Sequence, residues 1–102
     1  MNYTKLKLKR KPTHAGEILN EEFLKPLEIS QSQLAEAIGV SFRSINELVN
    51  EKRNLSSEMA MKLSKYSGTS PELWFNLQTQ YDVYYISKYI SKELNQIKPY
   101  TR

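Results

Sequence analysis

At 102 residues the chain is sized for one domain, and 39% apolar content can furnish only a single small core. It has no cysteine, which excludes disulfides and thiolate metal sites and fits a reducing cytoplasm. No apolar run approaches the roughly 20 residues needed to cross a bilayer, and the basic N-terminus lacks the apolar stretch of a signal peptide. The net charge of +4 is unevenly spread. Lys5, Lys7, Lys9, Arg10 and Lys11 meet no acid within residues 1–11, and the rest of the chain is close to neutral. Such an arm suits a phosphate backbone, or is simply a solvated tail.

Residues 1–12 read as an irregular or extended basic arm in which Leu6 and Leu8 alternate with lysines. It is either a lone strand awaiting a partner or a disordered arm. A helix can begin near His14, with Ile18, Leu19 and Phe23 on one apolar face, and Pro26 stops it. Ser30 is a candidate N-cap with Gln33 as its reciprocal partner, and Leu34, Ala35 and Ile38 form a buried stripe. Gly39 ends that helix. Ser41 caps the next, whose buried face is Ile45, Leu48 and Val49.

Glu51 to Asn54 form a polar loop. Ser56 caps a fourth helix with Met59, Ala60 and Leu63 inside, and Gly68 closes it. Ser70-Pro71-Glu72 is a capping residue, an N1 proline and a first-turn acid. Leu73, Trp74 and Leu77 follow, and apolar spacing resumes at Val83, Ile86, Ile90, Leu94 and Ile97, flanked by Tyr85 and Tyr89. The expected fold is all-α, a bundle of five or six short helices. Its expected divisions are an arm (1–12), a central helical domain (13–80) and a helical extension for dimer or partner contact (81–102).

The informative segment is SQSQLAEAIGVSFRSINELVNEKRN, residues 30–54. Two short helices flank a glycine turn. Ala35 is small where they must cross, and Val40 and Ile45 plug the angle between them, as a helix-turn-helix requires. With Ile45, Leu48 and Val49 facing inward, Phe42, Arg43, Ser44, Asn46, Glu47 and Asn50 face outward. The N-terminal end of such a helix usually enters the major groove first. Arg43 suits guanine O6 and N7, Phe42 a thymine methyl, and Asn46 adenine. Glu47 repels phosphate unless it accepts from cytosine N4 or clamps Arg43. A slightly rotated helix would instead bury Phe42. The expected phosphate and sugar contacts are Gln31, Gln33, Ser41, Ser44, Asn50, Lys52 and Arg53.

This segment resembles the phage-repressor (Xre-type) helix-turn-helix family, which implies a lambda-repressor-like DNA-binding domain. Residues 12–82 are similar to one branch of it, the HigA/VapI-type antitoxins. That likeness rests on His14-Ala15-Gly16-Glu17, Leu24-Lys25-Pro26 and Gly68-Thr69-Ser70-Pro71-Glu72-Leu73-Trp74. It implies base contacts from Phe42, Arg43 and Glu47, and backbone contacts from Gln31, Asn50 and Lys52. There are two departures. Many relatives carry glycine where this chain has Glu51, and antitoxin-type relatives often carry proline in place of Ala15.

The resemblance further implies a palindromic double-stranded operator, a cognate toxin (usually an endoribonuclease) neutralised by tight binding, and autorepression. A homodimer would set two recognition helices about 34 Å apart. The alternative is a stand-alone Xre-type repressor without a toxin; a module that binds only protein is a third reading. No catalytic residue, metal site or cofactor is expected. The single histidine, His14, reads as structural near a helix start, and no nucleophile–base pair, carboxylate pair or metal spacing stands out. Trp74 and Phe75 read as core or interface. Tyr81, Tyr84, Tyr85 and Tyr89 are either a stacking surface for bases or, as the favoured reading, the seam of a dimer or partner contact.

Overall fold

The computed structural model describes residues 11–101, so the expectations for the Leu6/Leu8 arm lie outside the described residues. Those residues are all-helical. α1 (Ala15–Ile18) runs directly into a wider π-type helix (Leu19–Leu24). α2 (Gln31–Ile38), α3 (Phe42–Val49), α4 (Ser57–Ser67), α5 (Pro71–Tyr89) and α6 (Ser91–Gln96) follow.

Local chemistry accounts for most helix boundaries. Ser30 and Gln33 form a reciprocal capping box, Gln33 N–H to Ser30 Oγ at 3.0 Å and Ser30 N–H to Gln33 Oε1 at 2.8 Å. Gly39 ends α2 with φ 73°, a left-handed conformation that an L side chain resists. Ser41, Ser56 and Ser70 accept from Ser44, Met59 and Leu73 N–H. Pro71 occupies the first turn of α5, where a missing N–H costs nothing.

The π-type stretch has no signature in the spacing of apolar residues. Its i→i−5 bonding, continued by Lys25 N–H to Asn20 O at 3.0 Å, brings residues five apart toward one face. Leu19 and Leu24 are therefore buried together.

The core consists of Ala15, Leu19 and Leu24 from the first helical segment, Leu34 and Ala35 from α2, Ile45 and Leu48 from α3, Leu55, Met59, Ala60 and Leu63 around α4, and Trp74. Trp74 is fully buried, stacks at a tilt on Phe23 (5.6 Å) and donates Nε1–H to Thr69 Oγ1 at 2.9 Å. That assigns it to the core rather than to an interface. α5 packs chiefly on α4 and also reaches α1.

The last helices are not all short. α5 runs unbroken for 19 residues, through the 80/81 division expected from sequence, because no glycine or proline interrupts the chain after Pro71 until Pro99. Its far end and α6 leave apolar side chains in solvent, with Ile86, Tyr89, Leu94 and Ile97 exposed. Val83, Ile86, Ile90 and Leu94 line one shallow cleft there of about 260 Å³.

Candidate nucleic-acid interface

α3 is set from beneath. Ile45 and Leu48 are wholly buried, so the opposite face is held outward. Gly16 of α1 lies directly on the Leu48 carbonyl, where a Cβ would overlap the oxygen. The approach is aimed by His14, buried at the head of α1. Its Nδ1 accepts from Gly16 N–H at 2.9 Å, and its ring meets Tyr81 of α5 edge-on at 4.8 Å. The His14–Gly16 segment thus carries the end of α3. Tyr81 is used inside the molecule, and burial pushes its phenol up, with Tyr85, Glu51 and Asp82 adding in the same direction.

On the outer face Phe42 is 51% exposed, which excludes its burial by a rotated helix. The Arg43 side chain is 85% exposed and donates Nε–H to Glu47 Oε2 at 3.0 Å. Glu47 Oε1 accepts from Arg53 Nε–H at 3.2 Å. The Arg43 bond, then the charges of both arginines and the Arg53 bond, hold the Glu47 carboxyl below the usual carboxylate range against the opposing effect of burial. Asn46, half-buried, donates Nδ2–H to Gln31 Oε1 at 3.0 Å, joining α3 to the head of α2. Asn50 Nδ2–H bonds back to the Asn46 carbonyl at 2.9 Å. Ser41 and Ser44 hydroxyls share a bond of 2.9 Å.

The structure therefore brings Gln31, Asn46 and Asn50 into one polar chain, and Arg43, Glu47 and Arg53 into another. Gln33 lies apart from both, with its Oε1 used in the α2 capping box. Lys52 is exposed on the loop beyond α3, and its N–H bonds the Glu47 carbonyl at 2.7 Å.

Two features escaped sequence reasoning. Lys62 of α4 joins Ser44, Arg53 and Ser56 around a shallow pocket of about 200 Å³ beside the start of α3. Only the tertiary packing of α4 brings it there. Glu51 stands at φ 60°, in the left-handed region. The glycine common at this position in relatives was the signal. Among the described residues no group of three or more His, Cys, Asp or Glu could hold a metal, and no helix is long and apolar enough to cross a membrane.

A capped, outward-facing helix pinned by a glycine turn to a second short helix defines a helix-turn-helix protein. The helix-turn-helix family model matches residues 21–74. An uncharacterised HTH-type transcriptional regulator of Haemophilus influenzae is 42% identical over 92 residues, 88% of this chain and 86% of its own length. Virulence-associated protein I of Dichelobacter nodosus is 46% identical over 70 residues, 69% of this chain and 65% of its own length. The solved structure of Pseudomonas aeruginosa antitoxin HigA with the higBA promoter superposes with a TM-score of 0.82 at 38% identity, covering 89% of this chain and all of that one. The chain belongs to the Xre-type helix-turn-helix family, in the branch that includes HigA and VapI.

Proposed function

We propose that this protein is a non-enzymatic, cytoplasmic antitoxin that binds double-stranded operator DNA as a homodimer, represses its own operon and neutralises a cognate toxin, an endoribonuclease. The observation that carries the DNA reading is α3 itself. Its inner face is fully buried at Ile45 and Leu48, while Phe42 and Arg43 are presented to solvent. The superposition on antitoxin HigA, solved with the higBA promoter, supports DNA binding by this fold.

In this reading Phe42, Arg43 and Asn46 meet base edges, and Glu47 acts at the same surface. Gln31, Gln33, Ser41, Ser44, Asn50, Lys52 and Arg53 meet the backbone. Residues 13–80 form the DNA-binding part and 81–102 the contact with a second copy. The exposed apolar side chains of Ile86, Leu94 and Ile97 favour that contact. The second copy would place a second α3 one helical turn away on a palindrome.

The test is a titration of the protein with duplex DNA at two salt concentrations. Phosphate binding weakens steeply as salt rises, because neutralised phosphates release counterions. A protein that binds only protein shows no such slope. The toxin is tested by co-purification with the product of the adjacent reading frame. Its absence leaves the stand-alone repressor, the second reading, favoured by the relative described as a transcriptional regulator.

A further inference from the structure

α3 carries one acid, Glu47, on the face that the preceding reading turns toward DNA. A lone carboxylate there would repel phosphate and could accept only from a base amino group. Glu47 is not alone. Oε2 accepts from Arg43 Nε–H at 3.0 Å, while Oε1 accepts from Arg53 Nε–H at 3.2 Å and lies 3.1 Å from the Arg53 terminal Nη2. Both oxygens are engaged, and each arginine is engaged through Nε. The terminal nitrogens of Arg43 remain available for the paired acceptors of guanine.

We propose that Glu47 is a positioning residue, not a base reader. It clamps Arg43 and Arg53 into one guanidinium–carboxylate–guanidinium unit that aims Arg43 at its base. Arg53, outside the recognition helix, thereby becomes a determinant of sequence preference. The inference rests on the DNA-reading role of α3 and sharpens it.

Three observations support the clamp. The first is charge: two guanidiniums and one carboxylate carry a net +1, so the acid no longer opposes the phosphate backbone. The second is that Arg53 sits on a fixed loop. Lys52 N–H bonds Glu47 O at 2.7 Å, and Leu55, buried, bonds Gln78 Oε1 of α5 through its N–H at 2.7 Å. The third is conformational freedom. Arg43 is 85% exposed, and an arginine free to sample its rotamers loses much of that freedom on binding. Holding it beforehand reduces the loss. Exposed ion pairs contribute little to folding stability, so the clamp acts on recognition and not on the fold.

The experiment begins with the full-length protein selecting its preferred sequence from a pool of randomised duplexes. Anisotropy titrations then use that duplex, each of its single-base variants and an unselected duplex. The proteins are wild type, R43A, E47Q and R53A, with thermal melts run on each. E47Q and R53A should both lower discrimination at the base pair that R43A affects, by about 3–10-fold. Melting temperatures should stay near wild type, and the unselected duplex should bind E47Q at least as well as wild type. E47Q altering preference at a base pair untouched by R43A would show that Glu47 reads a base, overturning the clamp. R53A weakening every duplex alike would reduce Arg53 to a phosphate contact, with the same consequence. A wild-type protein that selects no sequence overturns the DNA-reading role itself, and the clamp with it.

Discussion

Gly16 of α1 rests on the carbonyl oxygen of Leu48, the last fully buried residue of α3, at a separation that admits no side chain. This contact ties the segment that precedes the helix-turn-helix to the helix that is proposed to read DNA. Gly16→Ala must push α1 and α3 apart. Overpacking of this kind costs about 1–3 kcal/mol. Thermal melting should fall by about 4–8 °C for each kcal/mol in a domain of this size. Operator affinity should fall as well, since α3 moves with its support. An unchanged melting temperature would show that the contact relaxes freely.

His14 should behave as a structural cap rather than as a ligand. Its Nδ1 accepts the Gly16 N–H, so that nitrogen carries no proton, and its ring packs edge-on against Tyr81. His14→Ala loses the cap, about 1 kcal/mol, and an aromatic contact of about 0.5–1.5 kcal/mol. His14→Asn, which restores only the acceptor, should recover part of the loss in a denaturant titration. Equal destabilisation by Ala and Asn would assign the whole effect to packing.

Glu51 occupies a left-handed backbone position at φ 60°. That conformation costs a side-chain-bearing residue about 1–2 kcal/mol, partly offset by the greater freedom of glycine in the unfolded chain. Glu51→Gly should therefore stabilise the protein by about 0.5–1 kcal/mol. Glu51→Ala keeps the Cβ and should not. Equal gains from both variants would move the explanation from backbone strain to charge.

Tyr81 and Glu47 each give a signed pH dependence. Burial first, then Tyr85, Glu51 and Asp82, raises Tyr81 above its unfolded value near 10. The unfolded chain then ionises first. The contribution of Tyr81 is fully present below that value and is lost as pH rises through the folded one. Melting temperature should decline above about pH 10, and less steeply in Tyr81→Phe. Glu47 has the opposite sign. Its folded value is depressed, chiefly by the Arg43 hydrogen bond, so its contribution is present above the ordinary carboxylate value and is lost as pH falls through the folded one. The carboxyl is open to solvent, so this contribution to folding is small, and acid melts of wild type and Glu47→Gln should nearly coincide.

Much of the bundle was legible because its signals are local. Ser30, Ser41, Ser56 and Ser70 cap within three residues, and Gly39 and Gly68 end helices by their own backbone conformation. The outward placement of Phe42 and Arg43 followed from helical spacing against Ile45 and Leu48. What stayed hidden depends on chain that returns from elsewhere. The Asn46–Gln31 bond crosses two helices. Arg53 reaches Glu47 only because the loop after α3 turns back through Glu51. The π-type turn after Ile18 changes which residues share a face without changing the sequence pattern that predicts a helix. The motif around His14 was legible as a likeness, but its physical reason, the fit of Gly16 on Leu48, exists only in the folded chain.

The central claim is that α3 reads bases through Arg43 while its flanks hold the backbone. It is tested most directly by titrating wild type, Arg43→Ala and Lys52→Ala against the selected operator and a random duplex across salt concentrations. Arg43→Ala should lose about 1–3 kcal/mol on the operator, relax preference at one base pair and change random-duplex affinity little. Lys52→Ala should weaken both duplexes alike and lower the salt slope by about one. An equal loss on operator and random DNA for Arg43→Ala would contradict the account.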